Sequence, residues 1–346
     1  MVRLSVILAT YNRAETLRRT LAHLAAQTLD GGSYEIIVID DASPADIGAV
    51  VTEVARTMPC EVRFLTHSEN RGPGFTQNQG IREARAPILL LMADDILMSP
   101  GALAAHLKAH EDHPGEDVAI LGDVVPSPDA QPTVFMRNFD PFRFSEICAG
   151  LEDLPYYMFG ACNISLSTKF MREKGMFLEH RGRGGAAAHE DIEVGFRLHR
   201  NGLRIYFEPT AWGHHFHVYT LESAAMRMYE RGVNWDEFRS FMPDPEFVVV
   251  SHILNRRTIG DYKAVLRRSE AFVGRERYIA WHVFREMVRR MLFSDFSANK
   301  FWKPLFERAE NSERLAKLAR PSLYRAFLHY HFRRGISQAQ SQYENS

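Results

Sequence analysis

The chain has 346 residues, enough for one large α/β domain with an appendage or for two modest domains. Hydrophobic residues make up 45% and charged residues 25%, so we expect an ordinary globular core. The formal net charge of −1 gives no domain-wide basic footprint, which argues against a nucleic-acid partner. No apolar run approaches the roughly 18 residues that span a bilayer, and three cysteines without CxxC spacing argue against a disulfide framework. These features predict a cytoplasmic protein, and contact with the inner face of a membrane stays open.

Five short apolar runs in the first part of the chain are typical of buried parallel strands: 4–9, 35–40, 62–66, 88–92 and 118–121. Helical patterns separate these runs. Asn12 with Glu15 three residues later suggests a capping box, and Ser99-Pro100 suggests another helix start. The alternation predicts an α/β fold with a Rossmann-like, mostly parallel sheet flanked by helices.

Polar residues follow three of the predicted strands, where ligands of such sheets bind. Thr10-Tyr11-Asn12 follows the first strand, Asp40-Asp41 ends the second, and Asp94-Asp95 follows the run 88–92. Adjacent carboxylates repel each other unless a cation or hydrogen-bond donors compensate. Mg²⁺ or Mn²⁺ is a suitable cation, while Asp40 and Tyr11 suit a nucleoside. The alternative is that these residues only cap turns and helices, which is a common use of Asp.

The middle of the chain contains a second acidic motif. His189-Glu190-Asp191 opens an amphipathic helix that Gly202 ends, and a strand over 204–208 follows. Asp191 falls in the first helical turn, where the helix dipole favours the ionised carboxylate. It could act as a general base or only stabilise the helix, and spacing does not decide between these roles.

Four motifs in this order resemble the family 2 glycosyltransferases of the GT-A fold. They are residues 5–12 (SVILATYN), 38–43 (VIDDAS), 93–95 (ADD) and 190–197 (EDIEVGFR). Residues 159–165 (FGACNIS), 174–177 (KGMF) and 209–215 (PTAWGHH) also look like this family. The resemblance covers about residues 3 to 235.

The resemblance implies roles for individual residues. The donor nucleotide-sugar, usually a uridine derivative, would be held by Thr10, Tyr11, Asn12, Asp40, Arg71, Asp94 and Glu190. A Mn²⁺ or Mg²⁺ cofactor would bind Asp95 together with one histidine, for which we favour His215 over His214. Asp191 would be the general base that deprotonates the acceptor hydroxyl.

Two positions depart from the family pattern. The family often has Asp where this chain has Met92, which shortens the metal motif, and often has Arg-Asn where this chain has Gln77-Asn78. The histidines around His215 could instead form a structural or adventitious metal site.

The predicted function is therefore an inverting glycosyltransferase. It would move a sugar from a nucleotide-diphosphate sugar, with UDP preferred, to a hydroxyl of a saccharide or lipid-linked acceptor. The predicted domains are a GT-A catalytic domain, 1–235, and a helical C-terminal region, 236–346. The alternative function is a catalytically silent nucleotide-sugar-binding or scaffold protein on the same fold.

The C-terminal region is predicted to be helical over 277–292, 300–318 and 322–334, with a disordered end after 338. From residue 255 onward, 19 Lys and Arg residues stand against 9 Asp and Glu residues. Such a basic amphipathic tail could meet anionic lipids or a lipid-linked acceptor. It could equally be a solvated helical appendage or a homodimer contact.

Overall fold

The structure is a computed structural model in which residues 1–130, 133–138, 144–179, 190–235, 293–312, 314–315 and 321–344 are described. These residues belong to two compact units. Unit 1 comprises Met1–Ala130 and Phe142–His217, and unit 2 comprises Gln131–Pro141 and Val218–Ser346. The division into 1–235 and 236–346 stays a prediction, because residues 236–292 lie outside the described part. The predicted helix over 277–292 lies there too.

Unit 1 is built on one eight-stranded sheet. Its strands in chain order are β1 (Leu4–Thr10), β2 (Tyr34–Asp40), β3 (Glu61–Thr66), β4 (Ile88–Ala93), β5 (Ile96–Met98), β6 (Val118–Pro126), β7 (Asn163–Ser167) and β8 (Arg204–His215). They lie in the order β3-β2-β1-β4-β7-β6-β8-β5. The four strands from β3 to β4 are parallel, as predicted, whereas β7 runs antiparallel to both of its neighbours. The sheet is therefore mixed, and the α/β class is confirmed.

Helices connect the strands of unit 1: α1 (Ala14–Ala25), α2 (Ile47–Ala55), α3 (Pro73–Glu83), α4 (Ala102–Asp112), α6 (Phe144–Cys148), α7 (Thr168–Lys174) and α8 (Glu190–Arg200). The two predicted side-chain caps are wrong. Helix α1 begins one residue after Arg13, since Asn12 adopts a left-handed backbone with φ 55°. Helix α4 begins after Gly101, and Ser99 contributes its backbone carbonyl to Ala102 instead of a side-chain cap.

The core of unit 1 lies against the parallel strands. Every residue of β2 is buried, and the side chains of Leu4, Val6 and Leu8 in β1 are completely inaccessible to solvent. Strand β8 is longer than predicted. It continues through Pro209 to His215, because a register shift between Gly122 and Val124 lets β6 resume pairing with its second half.

Unit 2 is helical: α5 (Val134–Asn138), α9 (Leu221–Val233), α10 (Asp295–Ser297), a π-helical turn (Ala298–Trp302), α11 (Lys303–Glu310) and α12 (Pro321–Glu344). Aromatic rings form its core, among them Phe135, Phe306, Tyr324 and Phe332. Helix α12 continues to Glu344, so the predicted disorder after 338 is wrong up to that residue. Among the described residues, no helix is both long and apolar enough to cross a membrane.

Candidate active site

The carboxyl ends of β1, β2 and β4 meet at one edge of the sheet. Thr10 is in register with Asp40, and Ala9 is in register with Ala93, the residue before Asp94. Because the three strands are parallel, the residues after them emerge at the same edge. The topology therefore brings the polar strand ends together, as predicted.

Asp94 and Asp95 are almost completely buried at this edge, with 5% and 6% of their surfaces exposed. The hydroxyl of Thr10 donates to Asp94 Oδ2 over 2.6 Å. Arg13 Nη1 donates to Asp94 Oδ1 over 3.0 Å and to Asp95 Oδ2 over 2.7 Å. These contacts compensate two buried negative charges, which would otherwise be costly.

Two imidazoles also lie close to Asp95. His215 Nε2 is 3.6 Å and His217 Nδ1 is 3.9 Å from Asp95 Oδ2. The pairing of β5 with β8 brings them there, because it places Ile96 opposite His215. His214 contacts the carbonyl oxygen of Pro126 at 3.3 Å instead. The structure thus brings His215, the favoured histidine, beside Asp95. We call Arg13, Asp94, Asp95, His215 and His217 the acidic cluster.

The two carboxylates of the acidic cluster differ in acidity. Burial raises the pKa of Asp94 to about 6, since the charge of Asp95 adds to it and Arg13 only partly offsets it. Burial acts on Asp95 in the same sense, but His215, Arg13 and His217 outweigh it and lower the pKa of Asp95 to about 2. Asp95 is therefore ionised at neutral pH, as a ligand for a hard cation must be.

Asp40 organises the loop that follows β2. It accepts hydrogen bonds from the backbone and hydroxyl of Ser43 and from the hydroxyl of Thr66. Ser43 Oγ in turn lies 2.6 Å from the backbone nitrogen of Asn12, which ties the loops after β1 and β2 together. Asn12 and Ala42 both have a positive φ, 55° and 61°. Such backbone strain in residues other than glycine is concentrated at functional sites.

Asp41 holds the glycine-rich loop 70–74, a role that the sequence did not indicate. It accepts hydrogen bonds from the backbone of Arg71 over 2.8 Å and of Gly72 over 2.9 Å, and it contacts His67 Nδ1 at 2.8 Å. The guanidinium of Arg71 stacks on the ring of Phe75 at 3.3 Å from its centroid. Asp41 therefore fixes the backbone that carries the predicted donor-binding arginine.

Helix α8 begins with the acidic residues Glu190 and Asp191. The buried thiol of Cys162 relates Asp191 to the acidic cluster. Burial raises the pKa of this thiol strongly, and the charges of Asp191 and Asp95 raise it further. Backbone contacts agree with this relation, since Ala93 N–H donates to the carbonyl oxygen of Cys162 over 3.1 Å and Gly195 of α8 lies against Phe159. Asp191 therefore begins a helix that packs beside the segment leading to Cys162.

The predicted site residues therefore form two groups. Direct contacts join Thr10 to Asp94 and His215 to Asp95. The charges of Asp191 and Asp95 both act on Cys162. Asn12, Asp40 and Arg71 belong to the loops tied together by Ser43 and Asp41. Tyr11 lies near them in sequence with 47% of its surface exposed, which leaves its ring available for a ligand.

Sequence reasoning gave no role to Arg13 or His67. It placed Asp41 only among the polar residues at a strand end, and His217 only in the alternative structural or adventitious histidine site. Two of these carried a readable signal. Arg13 directly follows the Thr-Tyr-Asn segment, and His217 lies two residues after His215 and so on the same side of an extended chain.

A divalent cation suits the donor set of the acidic cluster. Carboxylates are the usual ligands of Mn²⁺ and Mg²⁺, and imidazole binds other divalent transition metals of the same series. Within the described part of the chain, however, no three Cys, His, Asp or Glu side chains are arranged to hold a metal ion. A cation at Asp95 and His215 would need its remaining ligands from phosphate oxygens or water.

Fold and site together define a glycosyltransferase with the GT-A fold. Residues 5–164, slightly less than half of the chain, match the family model described as Glycosyl transferase family 2.

The relatives agree with this assignment. Validoxylamine A glucosyltransferase of Streptomyces hygroscopicus subsp. jinggangensis (strain 5008) is 28% identical over 304 residues, covering 79% of this chain and 69% of the relative. Hyaluronan synthase of Pasteurella multocida is 26% identical over 236 residues, covering 58% of this chain and 23% of the synthase. The chain thus spans about two thirds of the first relative and less than a quarter of the second.

A solved structure shares the fold. The mannosyltransferase PcManGT from Pyrobaculum calidifontis, in complex with GDP-Man and Mn²⁺, superposes with a TM-score of 0.55 at 15% identity. The superposition covers 95% of this chain and 85% of that protein.

Proposed function

We propose that this glycosyltransferase transfers a sugar with inversion, from a nucleotide-diphosphate sugar to a hydroxyl of a saccharide or lipid-linked acceptor. The observation that carries the proposal is the convergence of Thr10, Asp94 and Asp95 at one edge of the sheet, with His215 Nε2 3.6 Å from Asp95 Oδ2. A divalent cation for the diphosphate and a base for the acceptor must act on opposite sides of one anomeric carbon. Asp95 is proposed for the first role, and Asp191 at the start of α8 for the second.

Asp191 is the proposed general base. It takes the proton of the acceptor hydroxyl while the acceptor oxygen forms its bond to the anomeric carbon. The bond between that carbon and the diphosphate oxygen breaks, and its electron pair leaves with the diphosphate. The first turn of α8 suits an ionised carboxylate, because the positive end of the helix dipole stabilises it.

Mn²⁺ or Mg²⁺ bound by Asp95 and His215 would supply charge neutralisation for the leaving diphosphate. Asp94, held by Thr10, and Glu190 are proposed to bind the sugar and ribose hydroxyls. Asp40, beside the exposed ring of Tyr11, is proposed to recognise the base, for which uracil is our first choice. Arg71 and Asn12 border the same loops.

The division into a catalytic domain, 1–235, and a helical acceptor, membrane or oligomer region, 236–346, is part of the proposal. So is a cytoplasmic location with contact to the inner face of the membrane. The described cysteines Cys60, Cys148 and Cys162 are free thiols, as a reducing compartment favours.

A panel of nucleotide sugars with UDP, GDP and other bases tests the proposal. We expect one donor to raise the melting temperature more with Mn²⁺ than with EDTA, because a specific ligand stabilises by mass action. The same donor should release its nucleoside diphosphate slowly without acceptor. Binding without any release or transfer would instead favour a catalytically silent scaffold.

A further inference from the structure

Arg13 contacts both carboxylates of the acidic cluster. A single atom, Nη1, lies 3.0 Å from Asp94 Oδ1 and 2.7 Å from Asp95 Oδ2. The arginine side chain is 39% exposed, whereas the carboxylate side chains are 7% and 8% exposed. A partly solvated cation therefore neutralises two buried anions.

The position of Arg13 in its own helix does not favour a positive charge. Arg13 is the N-cap residue of α1, and its side chain makes no capping hydrogen bond there. The first turn of a helix carries a partial positive charge, which disfavours cations. The contacts with Asp94 and Asp95, and not the local helix, therefore hold the guanidinium in place.

The same oxygen of Asp95 faces the imidazoles. Asp95 Oδ2 is the atom that Arg13 contacts, and it is also the atom nearest to His215 Nε2 and His217 Nδ1. A divalent cation between Asp95 and His215 would share Oδ2 with a guanidinium in hydrogen-bond contact. Two cations a few ångströms apart repel each other strongly in a site with little water.

We propose that Arg13 is an internal counter-ion for Asp94 and Asp95 in the metal-free enzyme, and that a divalent cation displaces it. The inference rests on the proposed function, since it takes Asp95 as a metal ligand. Arg13 would then lower the affinity of the site for metal and would neutralise Asp94 and Asp95 when no metal is bound. Binding of the metal then releases a positive guanidinium at the sheet edge.

The experiment is Mn²⁺ titration of the 346-residue chain by calorimetry, at low salt and without nucleotide. The wild type is compared with Arg13→Gln and with Arg18→Gln as the matched control. Arg18 lies on the same helix and pairs with Glu53 over 2.6 Å at the surface, so its removal changes the net charge equally. We expect Arg13→Gln to bind Mn²⁺ at least tenfold more tightly than the wild type, and Arg18→Gln to bind it like the wild type.

A second measurement uses thermal unfolding. In EDTA, Arg13→Gln should melt below Arg18→Gln, because two buried carboxylates have lost their partner, and Mn²⁺ should restore more stability to it than to the wild type. If Arg13→Gln does not fold, Arg13→Lys replaces it. Lysine has a shorter side chain with a single ammonium group, so it should compete less well with Mn²⁺. We therefore expect Arg13→Lys to bind Mn²⁺ more tightly than the wild type.

The outcomes separate this inference from the proposed function. Equal or weaker Mn²⁺ binding by Arg13→Gln, or by Arg13→Lys where it replaces that variant, overturns the counter-ion role even if the wild type transfers sugar. Mn²⁺ binding by Arg13→Gln alone supports the counter-ion role. If no variant binds Mn²⁺, with or without a nucleoside diphosphate, both the inference and the metal site fall.

Discussion

His106 Nε2 lies 2.9 Å from the side-chain oxygen of Asn163, and both side chains are completely buried. His106 Nδ1 contacts the hydroxyl of Ser165 at 2.9 Å, and the same hydroxyl contacts His110 Nε2 at 2.9 Å. Asn163 also donates to the carbonyl oxygen of Ala211 over 2.8 Å. This network joins α4 to β7 and β8 and uses neutral imidazoles.

The first prediction follows from the acidity of these histidines. Burial lowers the pKa of His106 to about 4, and burial with the charge of His106 lowers that of His110 to about 4. Between pH 4 and the unfolded value of about 6.5 the unfolded chain binds protons that the folded chain does not. The contribution of these histidines to the free energy of unfolding should therefore be fully present above pH 6.5 and should fall as the pH decreases towards 4.

For His106 alone the loss across this range is of the order of 3 kcal/mol. Urea unfolding at several pH values measures it. His106→Gln should flatten the dependence by about half, and His199→Gln, at an exposed position on α8, serves as the control. Equal slopes for wild type and His106→Gln would contradict the assignment.

The second prediction concerns Asp191. Asp191→Asn preserves the shape of the side chain and removes its basicity, so donor binding should persist and transfer should fall about 10²–10⁴-fold. The donor-induced melting shift and the rate of product formation measure the two effects separately. Full transfer activity in this variant would remove the base assignment.

Asp95 gives the third prediction. Asp95→Ala should weaken both Mn²⁺ and donor binding, because the ionised carboxylate of the acidic cluster is lost. Asp112→Ala is the control, since Asp112 is an exposed partner of Lys108 at the end of α4. Calorimetry with Mn²⁺ and then with donor measures the change, and a metal affinity equal to that of the control would refute the ligand role.

The fourth prediction tests the anchor of the glycine-rich loop. In Asp41→Ala the backbone N–H groups of Arg71 and Gly72 lose their acceptor. The variant should lose roughly 1–3 kcal/mol of stability and bind donor more weakly, even though Asp41 need not touch it. Denaturant unfolding and donor titration measure both. Unchanged donor affinity in a destabilised variant would show that the loop does not depend on this anchor.

The fifth prediction concerns the contact between α9 and α12. A Cβ atom added at Gly232 would overlap the carbonyl oxygen of Phe332, and one added at Gly335 would overlap that of Tyr229. Gly232→Ala should therefore destabilise unit 2, by about 1–3 kcal/mol or more, because backbone atoms must move apart. Gly101→Ala has nothing within 4 Å and should be neutral in the same thermal unfolding assay.

Much of unit 1 could be predicted because its strands carry their own signal. The runs in β1, β2 and β4 are largely apolar and buried on both faces, so composition identifies them. Strand β7 could not be found in this way. Its sequence NISLS is short and rich in polar residues, and Asn163 and Ser165 are buried only because His106 and Ala211 satisfy them.

The candidate site shows the same division. Local sequence order predicts that Thr10, Asp40 and Asp94 emerge at one sheet edge. It does not predict the hydrogen bond from Arg13 to Asp95. Nor does it predict that pairing with the three-residue strand β5 brings His215, and not His214, beside Asp95. Both depend on tertiary contacts between segments more than 80 residues apart.

The middle segment 131–141 belongs to unit 2, although unit 1 precedes and follows it in the chain. The polypeptide therefore crosses between the units three times, after Ala130, Pro141 and His217. Truncation at any single position cannot separate the catalytic unit cleanly. A protein shortened after His217 would keep Phe135 but lose Tyr324 and Phe306, its partners in the aromatic core. An isolated catalytic fragment thus requires replacement of the middle segment as well as removal of the tail.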